Sequence, residues 1–180
     1  MRCWRLRVAI ILLMLLPGCL VYSKVPVGEG PASIQPKEWE GIWLGLPDFL
    51  PFVIKVKDPQ QGILRVTWME RPFTGPKLES IELYLRSSGK WLLASWKEED
   101  KNYYAWGRIQ SKEERLLLWL PRVEKFRDLV KSKKLPGQIN GNDEVLLGDL
   151  SPEHYQIFVG EDKGALFQWD NPLVLVKVRD

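Results

Sequence analysis

The chain has 180 residues, of which 45% are hydrophobic and 27% charged, with a formal net charge of +3. That is enough for one domain with a real core. Arg2, Arg5 and Arg7 supply the whole excess: without them 23 basic residues face 23 acidic ones, which gives no support to a nucleic-acid partner.

In chain order, the three arginines precede an apolar run from Val8 to Leu16. The run is far shorter than the roughly 20 residues of a spanning helix. A basic flank before a short apolar core is an export-signal pattern. Leu16-Pro17-Gly18-Cys19 follows directly, and it resembles the lipobox of bacterial lipoproteins. The alternative is an ordinary secretory signal cut at a small-residue site. The lipoprotein resemblance implies cleavage before Cys19, a diacylglyceryl thioether on that cysteine and an amide-linked acyl chain. Two or more chains anchor stably where one does not. Leu20 in place of Asp leans toward the outer membrane of a two-membrane cell, at its periplasmic face. Cys3 and Cys19 are the only cysteines. With one discarded and the other acylated, no disulfide forms, although export would permit one.

Residues 1–18 are thus expected as a signal peptide. Residues 19–37 are expected as a lipidated N-terminus and flexible tether, because Pro26, Gly28, Gly30, Pro31 and Pro36 interrupt a stretch with few large apolar groups. At random-coil scaling this tether reaches roughly 23 Å. Residues 38–180 are expected as one β-rich domain.

Period-two alternation dominates that domain. Phe52, Ile54 and Val56 alternate with Lys55 and Lys57, and Asp58–Gly62 makes a turn. Leu64, Val66 and Trp68 follow, then Ile81, Leu83 and Leu85. Trp91–Lys97, Tyr103–Ile109 and Leu116–Leu120 complete a series of antiparallel hairpins with one wet face. Val123, Phe126, Leu129 and Val130 recur at helical spacing through Lys134. Val145–Leu147 is a short strand. Ser151-Pro152 starts a brief helix that ends at Gly160. Ala165–Trp169 and Leu173–Val178 are the last strands. Eight or nine short strands with two short helices in the C-terminal half predict a mainly β fold. Closure removes exposed edges, so we expect an antiparallel barrel, with a two-sheet sandwich as the alternative.

Gly41-Ile42-Trp43 resembles the Gly-x-Trp near the start of lipocalins. That resemblance implies a Trp at the barrel floor and an interior that takes apolar ligands. A helix near Val123–Lys134 and another after Ser151, with strands beyond both, depart from the lipocalin order. Trp43, Tyr104 and Trp106 are the candidate ligand-binding residues, since aromatic surface combines apolar area with a polar handle. The opposing expectation covers both faces of these strands, one by the core and one by the helices. The basic end of the Val123–Lys134 helix reads as solvated, with last-turn lysines complementing the dipole; contact with anionic headgroups is the alternative.

No metal, cofactor or catalytic set is expected. His154 is the single histidine, so no zinc set exists. Asn140–Glu144 lacks calcium-loop spacing, and no Gly-x-Ser-x-Gly is present. Glu98, Glu99, Asp100, Glu113 and Glu114 fall in predicted turns and read as solvated. The expectation is a non-enzymatic, lipid-anchored envelope protein that binds or carries an apolar or amphiphilic ligand. The alternatives are an interaction protein, such as an accessory subunit or inhibitor of an envelope enzyme, and a hydrolase of wall glycan.

Overall fold

The computed structural model describes residues 20–48, 50–70, 75–98, 101–141, 144–160 and 166–178. The expected signal peptide, Cys19, Glu99, Asp100, Asn142 and Asp143 lie outside them. The elements begin with β1 (Leu20–Ser23), β2 (Gly30–Pro31) and α1 (Pro36–Trp39). Then come β3 (Gly41–Leu46), β4 (Leu50–Asp58), β5 (Ile63–Glu70), β6 (Lys77–Ser88), β7 (Trp91–Lys97), β8 (Tyr104–Lys112) and β9 (Arg115–Trp119). The last are α2 (Val123–Lys131), β10 (Gly137–Asn140), β11 (Glu144–Leu147), α3 (Pro152–Gly160) and β12 (Leu173–Lys177).

Strands β3 to β9 pair successively as antiparallel neighbours. β12 then joins β9 to β3, with Leu173 opposite Leu118 and Val174 opposite Leu46. The result is a closed eight-stranded antiparallel barrel, not a sandwich. Alternation sets its inside. In β4, Phe52 and Ile54 are buried while Pro51, Val53 and Lys55 are exposed. The Asp58 carboxylate accepts the N–H groups of Gln60 and Gln61 at 3.0 Å and shapes the expected turn before β5.

The expected tether is instead part of the domain. β1 pairs with β8 on one edge and with β11, in parallel, on the other. Val21, Tyr22, Ser23 and Val27 are buried. The Val27 N–H donates to Ser95 Oγ at 3.0 Å, and the Ala32 N–H to Leu85 O at 3.0 Å. A segment with few large side chains is ordered when neighbouring strands accept its backbone groups. Gly28 has φ +138°, and a Cβ there would stand 2.4 Å from Arg86 Cβ, so its lack of a side chain lets the segment lie against β6.

Strand β10, not foreseen, pairs with β11 and extends the sheet beyond β8 and β1. Helices α2 and α3 cover the outer face of this region. Phe126 and Phe158 meet Val21, Trp91, Leu93, Trp106, Val145 and Leu147 there. Residues 166–169 form no strand; Phe167 makes a single bridge to Pro121, and Ala165 lies outside the described residues. The barrel thus has two apolar cores, one in its lumen and one beneath the helices, which share the walls β7 and β8.

Candidate ligand-binding lumen

The lumen has a packed floor. Helix α1 crosses that end, and the Trp43 indole donates to Trp39 O at 2.9 Å. Lys177 caps the same ring: its Nζ lies 5.5 Å from the Trp43 centroid and donates to Lys37 O at 2.9 Å. Trp43, Ile54, Leu64, Leu85 and Leu116 fill the lower lumen and are each at most 2% exposed.

Inner positions toward the other end are only half-buried. Leu50, Trp68, Ile81, Leu83 and Leu118 pack on the lumen cluster yet retain contact with solvent. Ile81, Leu83 and Leu118 also join a mouth cluster built on Tyr22, Trp96, Ala105 and Leu146, together with Leu20 and Leu120. Strand β1 takes its place here because β9 leaves the edge of β8 after Trp119. Gly107 sits at this fork. A Cβ there would stand 2.7 Å from Trp119 O.

Polar groups stand at the rim above this apolar mouth. Lys77 pairs with Glu79. The Trp96 indole donates to Glu98 Oε1 at 3.1 Å. Lys101 Nζ donates to Glu144 Oε1 at 2.8 Å and lies 4.3 Å from the centre of the Tyr22 ring. Burial holds the Tyr22 hydroxyl above the usual tyrosine range. Burial disfavours the Lys101 ammonium, but Glu144 and Tyr22 outweigh it and hold that pKa above the usual lysine range. Tyr22, Lys101 and Glu144 come from three distant segments, and no local pattern marks them. Tyr22 in addition lies in the stretch expected as tether.

The three aromatic candidates are not brought together. Trp43 lies in the floor, 0% exposed. Tyr104 lies half-buried on the outer wall, edge-on to Tyr84 at 5.8 Å. Trp106 is 1% exposed beneath the helices, against Phe126 and Phe158. The residues that line the mouth are chiefly aliphatic, and alternation marks them only as inward-facing.

Outside the lumen the polar groups have local roles. His154 Nδ1 accepts the Ser151 N–H at 2.9 Å, which caps α3 and leaves that nitrogen occupied. Glu113 and Glu114 stand exposed in the β8–β9 turn. Lys125, Lys131, Lys133 and Lys134 are exposed, while Arg122 donates to Phe167 O at 2.9 Å. Among the described residues no group of three His, Cys, Asp or Glu could hold a metal ion. A cleft of about 380 Å³ lies outside the floor, between Ser33–Gln35, Lys90 and Arg108. The Arg108 guanidinium there covers Trp91 at 4.3 Å and Trp169 at 4.6 Å.

The fold and this site define a closed antiparallel barrel with a packed floor and an apolar mouth. Comparison of the chain with protein-family models, curated proteins and solved structures finds no match in any of the three.

Proposed function

We propose that this chain is a lipid-anchored, non-enzymatic protein of the bacterial cell envelope, and that its barrel binds an apolar or amphiphilic ligand through the mouth. The anchor rests on the lipobox-like Leu16-Pro17-Gly18-Cys19. The ligand reading rests on one observation: the lower lumen is filled, while Leu50, Trp68, Ile81, Leu83 and Leu118 on the inner wall above it are only half-buried. Apolar wall below charged rim pairs suits a molecule with an apolar tail and a polar head.

Native mass spectrometry on residues Leu20–Asp180, exported without the cysteine, tests the reading. The expected result is a reproducible added mass, identified after denaturation as an amphiphile. A fluorescent long-chain fatty acid should also bind saturably and lose at least tenfold in affinity in Leu83→Glu, because a buried charge would then face the tail. A clean protein mass together with no saturable binding would remove the ligand reading. Ile42, Val53 and Val178 form an exposed apolar row on the outer wall, 43%, 39% and 37% accessible. That row favours the second reading, an interaction protein. Crosslinking in intact envelopes that recovers no consistent partner would count against it.

A further inference from the structure

We infer that two copies of this chain pack face to face, as a two-fold dimer, through the outer wall formed by β12, β3, β4, β5 and β6. The inference goes beyond the ligand reading. It needs neither an open lumen nor an acylated cysteine, and it gives the exposed row of Ile42, Val53 and Val178 an occupant.

The first observation is how this wall is built. Helices α2 and α3 cover the outer face of β7 and β8, so both faces of those strands are buried. They leave the wall across the barrel open: Leu78 is 69% and Met69 50% accessible. Yet Ile42–Leu46 and Leu173–Val176 are continuous apolar runs, the pattern of strands buried on both faces. The registers join their outward side chains into rows. Val176, Leu44, Pro51, Met69 and Leu78 stand opposite one another across the five strands. Beside them the Val178 N–H donates to Ile42 O at 2.8 Å, and Ile42 faces Val53, followed by Thr67 and Ser80. Val174 opposite Leu46 begins a third row. Among the described residues these rows hold no charged side chain. With strands about 4.8 Å and rows about 6.7 Å apart they outline roughly 400 Å² of sheet, in the range of patches that mark interaction sites. Side-chain relief and the next row, where Lys55, Arg65 and Glu82 form a charged rim, extend the face toward the roughly 800 Å² per partner of a standard interface.

The second observation selects the occupant. The chain holds 9 Trp and 5 Tyr, yet none stands in these rows. A surface made for the headgroup layer of a bilayer carries such rings. Uncharged aliphatic side chains resemble instead a domain core cut in half, as in permanent homodimers. The complement of an aliphatic sheet face is a second such face about 10 Å away, and another copy supplies it at equal concentration. Val53 lies on the middle strand of the five, so a two-fold axis near it sets the same patch on both subunits.

The test is sedimentation equilibrium of the full chain in density-matched mild detergent. The expected mass at micromolar chain is that of two copies. Val53→Glu and Ile42→Glu should each weaken the dimer at least a hundredfold, because like charges then meet near the axis. Both positions already touch solvent, so circular dichroism should stay unchanged. A parent of single mass would overturn the inference, and fatty-acid binding by that single copy would leave the ligand reading in place. A dimer that persists in both variants would place the contact elsewhere and overturn it too. A photo-crosslinking side chain at position 53, in two differently tagged copies, reads the face without a charge. Capture of one tag by the other is expected; adducts to lipid or to another protein alone would overturn the inference.

Discussion

Trp106 meets Phe126, Phe158 and Phe167 at centroid distances of 5.4, 5.6 and 6.0 Å. Its indole N–H has no partner although it is buried. The ring therefore acts through packing area. Trp106→Ala should cost about 3–5 kcal/mol in urea unfolding. Trp106→Phe should cost less, because it removes an unsatisfied donor along with part of the ring. Fatty-acid affinity should stay unchanged in the Phe variant; a loss there would place Trp106 in the ligand site. Titration at the mouth has a defined sign as well. Burial raises the Tyr22 pKa, and the net effect on Lys101 is also upward despite its burial. Groups raised on folding hold protons longer in the folded state. Their contribution is thus fully present below pH ~10 and lost as pH rises through the folded values. Denaturation midpoints measured from neutral to alkaline pH should fall above that point, and less steeply in Tyr22→Phe. A Tyr22→Phe profile as steep as that of the parent would contradict the assignment.

At the scale of elements, the decisive case is the segment before α1. As a tether it could be deleted without loss. In the structure Val21, Tyr22, Val27 and Ala32 are each at most 8% exposed. Full burial of a large apolar side chain contributes about 1.5–3 kcal/mol, and a domain's whole stability is about 5–15 kcal/mol. A chain that starts at residue 38 should therefore fail to fold, with loss of cooperative melting by circular dichroism. A stable truncated domain would show that β1 and β2 are dispensable. Gly107→Ala should also destabilise, because the new methyl would meet Trp119 O at the fork. Much of the barrel was legible: strict alternation in Phe52–Val56 and Leu64–Trp68 marks inner and outer walls, and Trp91 and Trp96 fall on opposite faces as that period requires. What was not legible depends on distant partners. Leu20–Ser23 is ordered by β8 and β11, more than 80 residues away along the chain. Gly137–Asn140 has no apolar alternation of its own and pairs only because β11 presents an edge. Trp106 and Tyr104 share a face by period, but only the helices decide that one is buried and the other half-open.

The whole molecule is held by closures between its two ends. β3 pairs with β12, and β1 with β11, so residues near 20 and 45 meet residues near 145 and 175. No cut leaves two self-sufficient halves. The lumen core and the helix-covered core also share walls: Ala94 and Ile109 face one, Leu93 and Trp106 the other. Loss of either core strips one face of β7 and β8, and the other core then loses its backing. Unfolding should accordingly be a single transition. Far-UV circular dichroism, which follows the strands, and tryptophan fluorescence, which draws on both cores, should give coincident midpoints. Leu93→Ala and Leu64→Ala should each lower both probes together. Folding should be slow, in the millisecond-to-second range typical of non-local β topologies, because the barrel gains its last ladders only when β12 arrives. If Leu64→Ala instead separated the two probes, the helix-covered core would be an independent unit, and the mouth, whose wall β1 belongs to it, could open while the floor stays closed.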